Sequence, residues 1–285
     1  MKKIKKLIDR WNRKNSILLL GSCIISFLLL VVLFAPHLEL YDPTKMNLSE
    51  KFVPPCAEHW FGTDHMGRDI LSRIIEGSRV SLISAMLVVL ISAVAGTAIG
   101  LISGFFGGIV DMLLMRLVDV LLAFPTIIFA LAISNLLGTG SINLIIAICC
   151  VQWVRYARLA RGEAIGLKNA EYIEAARAVG GGNAQILLKY FFPHVVSKIL
   201  IMVSLDIGSV ILYCASLSFL GLGAQPPSPD WGAMISDGKN YMQFAPWMTL
   251  FPGMAIALSA LGFNMVGDGI RDLLDPRMRE SVQAE

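Results

Sequence analysis

Five runs without a single Asp, Glu, Lys or Arg decide what this chain can become. They cover 16–38, 80–110, 120–154, 207–229 and 240–267. A helix crosses the hydrocarbon core of a bilayer with roughly 20 residues, so each run can supply a span. The 120–154 run is too long for one span and breaks at Gly138-Thr139-Gly140-Ser141, so it holds most of two. Only 16% of the 285 residues are charged and 55% are hydrophobic, with mean hydropathy +0.67. Soluble domains carry roughly 25% charged residues, so a water-soluble globule is excluded.

The pattern predicts an all-α integral membrane protein with six membrane-spanning helices, near 16–36, 80–104, 112–137, 142–164, 195–216 and 247–267. Asp206 interrupts the fifth. The first is not a cleaved signal peptide: its apolar core is longer than such peptides carry, and no A-x-A-like site follows.

Lys and Arg counts set the orientation. With the N-terminus in the cytoplasm, eighteen of the 24 fall on the cytoplasmic side, including seven within 2–14 and seven from Arg155 to Lys198. Both termini are then cytoplasmic. The layout is a basic cytoplasmic tail at 1–15, a first span with an outer amphipathic segment at 16–79, a five-helix core at 80–267, and a cytoplasmic tail at 268–285. The basic tail reads as a topology signal, not a nucleic-acid site. Cys56 alone faces outward, so no outer disulfide pair is available.

Outside the first span, Ile70, Leu71, Ile74 and Ile75 recur at helical spacing opposite Arg73, Glu76 and Arg79. This predicts a short amphipathic helix at the outer interface, with Trp60 and Phe61 at headgroup level. His37, His59 and His65 face outward without the spacing of a compact metal site. Pro125 is expected to kink the third span, and Asp111, Arg116 and Asp119 can pair along one helix face. A second outer loop at 218–232, rich in Gly and Pro, reads as a stiff non-helical turn that can re-enter the membrane edge.

One polar stretch on the cytoplasmic side, 168–193, stands apart. Asn169 can cap a helix whose first turn holds Glu171, Glu174 and Arg177 can pair, and Gly180-Gly181-Gly182 ends it. Asn183 can cap a second short helix, and Pro193 marks the turn into the fifth span. No phosphate-binding loop, H-E-x-x-H, paired C-x-x-C or nucleophile elbow occurs in the sequence. The chain is therefore not expected to be an enzyme, and the polar stretch is the natural place to receive energy from another chain. Asp206 is the one acid near mid-span. Such groups face a bundle interior or an aqueous path, which suits a cationic substrate; a structural hydrogen bond or a contact with a partner chain is the alternative.

At Glu174-Ala175-Ala176-x-x-x-Gly180-x₉-Tyr190-x-Phe192-Pro193 the sequence resembles the "EAA" loop of permeases of ATP-binding-cassette importers, with Tyr190 and Phe192 in place of the family's Ile and Leu. The F-G-T-D-x-x-G-R-D run at 61–69, the S-F-L-G-L-G-A-Q-P-P run at 218–227 and the stretch from Val266 to Pro276 resemble the peptide/nickel subfamily. Within it the chain is similar to the second of two permease subunits, closest to the nickel type. The resemblance implies the importer-permease fold and four kinds of partner: membrane lipid, a homologous permease, two ATPase subunits and an extracytoplasmic binding protein. It implies that Glu174, Ala175, Ala176, Arg177, Gly180 and Pro193 couple to an ATPase. This chain would then bind no cofactor, ATP and Mg²⁺ being held by the partner subunits. The location would be the bacterial cytoplasmic membrane. The cargo expected is nickel or a nickel chelate, with di- or oligopeptides as the alternative. A lone ion-coupled carrier would need intramembrane ionisable groups, for which Asp206 is the one clear candidate, and the sequence shows no strong internal repeat; a non-transporting scaffold fits the helices but leaves the EAA stretch without a purpose.

Overall fold

The computed structural model describes residues 2–274, with side chains described over 16–272. Asp275, Pro276, Arg277 and Arg279, which entered the motif and topology readings, lie outside the described residues, as do the side chains of the basic tail. The described residues form helices and turns and no strand; one isolated bridge joins Thr63 to Asp69. Five helices are long and apolar enough to cross a membrane, and a sharply bent pair makes six if it counts as one span. The all-α membrane architecture read from the sequence is thus observed. The chain divides into two compact units. One holds the residues up to Met86, Leu137–Ile145 and those from Ser204 on; the other holds Leu87–Leu136 and Ile146–Val203.

In the first unit, α1 (Lys2–Leu38) packs along α10 (Trp247–Leu274). Glycines let the backbones approach, since a Cβ at Gly21 would lie 2.8 Å from the Met265 Cβ and one at Gly262 would lie 2.7 Å from Ile24. Small residues at such seams are how helices associate in lipid, where apolar surface alone gives no net attraction.

The segment between α1 and α2 is tightly folded. Asp64 accepts hydrogen bonds from the Met66 and Arg68 backbone N–H groups and from Arg68 Nε at 2.6 Å. Asp69 accepts from the backbone and hydroxyl of Ser72, both at 2.8 Å, and so caps α2 (Ile70–Phe106). Here the structure corrects the sequence reading. The amphipathic stretch at 70–79 is not a separate interfacial helix but the first turns of a 37-residue helix that runs on into the second span. No residue between 70 and 106 breaks it, and folded chain covers one member of its polar side: Arg73 is buried and donates to the Pro43 carbonyl. Trp60 is exposed, but Phe61 stacks on Phe251 at 4.0 Å. His59 is no surface histidine; it is buried with Nδ1 2.9 Å from Asp69 Oδ1.

Only part of the second outer loop is non-helical. After the turn, Asp230 accepts from the Gly232 and Ala233 N–H groups and starts α9 (Trp231–Gly238). Trp231 is buried and its indole N–H reaches the Ile74 carbonyl at 3.0 Å.

In the second unit, the expected third span is two helices, α3 (Gly108–Leu122) and α4 (Thr126–Leu137), bent by 93°. Pro125 has no N–H to donate and disfavours helical backbone at Phe124, so the chain turns there. Helix α5 (Ser141–Leu167) carries the arginines of the fourth span onward without interruption, as the sequence suggests.

Candidate functional site

The polar stretch forms a small helical platform in the second unit. Helix α6 (Glu171–Ala178) begins after Ala170, which offers no side-chain cap; Asn169 is one residue too early to serve. The Ala170 carbonyl accepts from Ile173 and Glu174 N–H, at 2.9 and 3.2 Å. At the far end the Gly181 N–H reaches the Ala176 carbonyl and the Gly180 N–H reaches that of Arg177, each at 2.9 Å. This pair of bonds closes a Schellman cap, which needs one left-handed residue. Gly180 supplies it, with φ +90°. Gly181 is required for a different reason: a Cβ there would lie 2.7 Å from the Ala176 carbonyl oxygen.

Helix α6 is anchored through Ile173, with Ala170 and Ala176 packed beside it. Ile173 is fully buried, in a cluster with Leu101 and Phe105 of α2, Tyr156, Ala160, Ala164 and Leu167 of α5, and Ile186 and Phe191. Burying such a side chain stabilises by about 1.5–3 kcal/mol. Everything on the other side is offered outward. Glu174, Ala175 and Arg177 are exposed, and so is Val179, at 90%. Glu174 and Arg177, which spacing allows to pair, make no ion pair in the structure.

Chain continuity past the platform also differs from expectation. Helix α7 (Asn183–Ile186) starts without a side-chain cap from Asn183. A wide π turn (Leu187–Phe191) then leads into α8 (Phe192–Phe219). Pro193 therefore marks no turn: 183–219 is one continuous helix, and the wide turn accommodates the N–H that Pro193 lacks.

Beneath the platform two helix contacts are tight. Arg161 on α5 binds Asp111 on α3 through Nε and Nη2, and Ser103 of α2 donates to the same carboxylate. Arg158 reaches Asp119 at 2.6 Å. The two acids thus pair with α5, not with Arg116 on their own helix; the arginines lie on the facing helix in matching antiparallel order. Gly96, Gly100 and Gly104 of α2 press against α5 so closely that a Cβ at Gly96 would overlap the Trp153 carbonyl and one at Gly100 that of Ala157. The sequence reading passes over these glycines, although their four-residue spacing is the small-xxx-small signal that could have found the seam. Val179 gave no such signal.

Asp206 belongs to the first unit. It is 3% exposed and has a partner within the chain. On either side of it α8 and α10 are in close contact, Ser204 and Leu205 against Gly267, and Gly208 against Asn264 and Ala260.

Residues 96–280 match the family model described as binding-protein-dependent transport system inner membrane component. The chain is 44% identical to the dipeptide transport system permease protein of Alkalihalophilus pseudofirmus, over 94% of this chain and 88% of that one. It is 41% identical to the probable D,D-dipeptide transport system permease protein of Escherichia coli K12, over 94% and 90%. It is 42% identical to the glutathione transport system permease protein of Salmonella typhimurium, over 95% and 89%.

Proposed function

Because the chain belongs to the binding-protein-dependent transport system inner membrane component family, it is a permease subunit of an ATP-binding-cassette importer, and we propose that its cargo is a small peptide. The observation that carries this is the naming of the relatives above as dipeptide and glutathione permeases, each similar over nearly the whole chain. The nickel assignment suggested by short motifs gains nothing from them. Uptake of a radiolabelled dipeptide into cells, challenged separately with unlabelled dipeptides, glutathione and Ni²⁺, tests the proposal. Competition by peptides is expected. Uptake of ⁶³Ni²⁺ by the same cells that peptides leave untouched would overturn it.

Glu174, Ala175, Arg177 and Gly180, with Val179 beside them, form the face that docks on an ATPase subunit; Ala176, packed inward beside Ile173, holds that face in place, and Pro193 belongs to the helix that carries motion onward. The exposed side of α6, backed by the buried Ile173, supports this. ATP and Mg²⁺ sit on the ATPase subunits, and a homologous permease and an extracytoplasmic binding protein complete the importer. The termini and the 168–193 stretch lie in the cytoplasm of a bacterium, on the arginine and lysine distribution. Glu174→Lys and Gly180→Pro should leave the protein in the membrane while uptake is lost; unchanged uptake in both would sink the coupling role. Asp206 contributes to the translocation pathway through the seam between α8 and α10, where a carboxylate suits a peptide's ammonium group. Asp206→Asn should lower uptake with assembly intact.

A further inference from the structure

We propose that the π turn at Leu187–Phe191 is the joint through which movement of the docking platform reorients the head of α8. The inference rests on the coupling role given to the platform. Ile186 and Phe191 are five residues apart, and both are fully buried in the cluster that holds Ile173. On an α-helix, positions five apart diverge by about 140°, so one of the two would leave the cluster. The turn is therefore wound wider: the Phe192 N–H donates to the Leu187 carbonyl, five residues back. Phe191 then packs edge-on against Phe105, 5.2 Å between ring centroids, while Leu188 between the anchors is 66% exposed.

Such a turn holds one residue more than α-helical winding needs. That excess can pass along the helix by exchanging five-residue for four-residue hydrogen bonds, rotating each residue it passes by about 100° and advancing it by about 1.5 Å. Pro193 cannot donate to the Lys189 carbonyl, which lowers the advantage of α winding at this point. The first residue whose contact would report a rotation is His194, whose Nε2 lies 3.4 Å from Glu163 Oε2 on α5. The platform and α8 thus meet at an element with two discrete windings, which is what converts a push into a defined turn rather than a diffuse deformation.

Deleting Leu188 tests this. The deletion sets Ile186 and Phe191 four apart, so ordinary α winding keeps both on the cluster and removes the excess residue. Spin labels at positions 171 and 200, both exposed, are read in the full importer in lipid vesicles, nucleotide-free and trapped with vanadate. The label distance is expected to change on trapping in the unaltered chain and to stay fixed in the deletion variant, with ATP hydrolysis retained. A distance that changes equally in both, or that changes in neither, overturns the proposal. If the deletion variant does not assemble, Pro193→Ala decides: restoring the N–H should shrink the change, and an unaltered change overturns the proposal. Failure of the coupling role itself shows separately, as unchanged uptake in Glu174→Lys and Gly180→Pro.

Discussion

Arg161 holds Asp111 in a two-pronged bond across fifty residues of sequence, with its Nη2 2.7 Å from the Asp111 Oδ2. The pair joins α5 to α3, and the Ser103 hydroxyl brings α2 to the same carboxylate. A planar fork matches a carboxylate in a way an ammonium does not. Arg161→Lys keeps the charge and loses one of two directed bonds, so it should cost about 1–2 kcal/mol. Asp111→Ala should cost more, because it leaves the guanidinium and the hydroxyl without their shared acceptor. Detergent-denaturation midpoints of the purified chain would show this ordering; a lysine variant as stable as the unaltered chain would contradict it.

The seam between α2 and α5 predicts a contrast between glycines on helices. At Gly100 a Cβ would meet the Ala157 backbone, which cannot step aside, whereas at Gly162 it would meet nothing within 4 Å. Gly100→Ala should cost about 1–3 kcal/mol through forced separation of the helices. Gly162→Ala should gain up to about 1 kcal/mol from helix propensity. Opposite signs in the same unfolding assay are the expected result, and equal effects would mean that the seam is looser than described.

Much of this was legible in advance. The uncharged runs located the spans because a bilayer leaves a chain few ways to satisfy its backbone. The platform was readable from Gly180 and the acidic first turn of α6. What escaped was set by partners distant in sequence. Residues 70–79 read as an interfacial helix because nothing local says that Pro43 and Asp64 lie against Arg73. Pro193 read as a turn because the wide winding before it answers to burial of Ile186 and Phe191 together, a tertiary demand. Spacing offers Asp111 and Asp119 a partner on their own helix and says nothing of the arginines on its neighbour.

The C-cap of α6 separates two reasons for glycine. Gly180 has φ +90° and open space around its Cβ position, so Gly180→Ala should cost about 1–2 kcal/mol from backbone conformation alone, and Gly180→Asn less. Gly181→Ala meets the Ala176 carbonyl oxygen instead and should not be relieved by Asn. Hydrogen exchange of the Gly180 and Gly181 amides reads the cap directly. Faster exchange is expected in Gly180→Ala, with partial recovery in Gly180→Asn but none in Gly181→Asn.

Asp230 supplies a pH dependence whose direction follows from burial. Its carboxylate is removed from water beneath α9, and this desolvation raises its pKa above the ordinary carboxylate value; bonds from Ala233, Ser218, Gly232 and Ser81 oppose the shift without cancelling it. A carboxyl whose folded-state pKa is raised binds its proton more tightly in the folded chain than in the unfolded one. Its contribution is therefore fully present below the unfolded value, roughly 3.9, and is lost as pH climbs through the raised folded value. Asparagine can accept the same two backbone bonds, at 2.9 and 3.1 Å in the native cap, and has no charge to desolvate. Asp230→Asn should thus match the unaltered chain near pH 4 and exceed it in stability at pH 7 and above. Denaturation midpoints for both proteins at the two pH values settle the matter, and a gap that narrows as pH rises would show that the bonds to the carboxylate outweigh its burial.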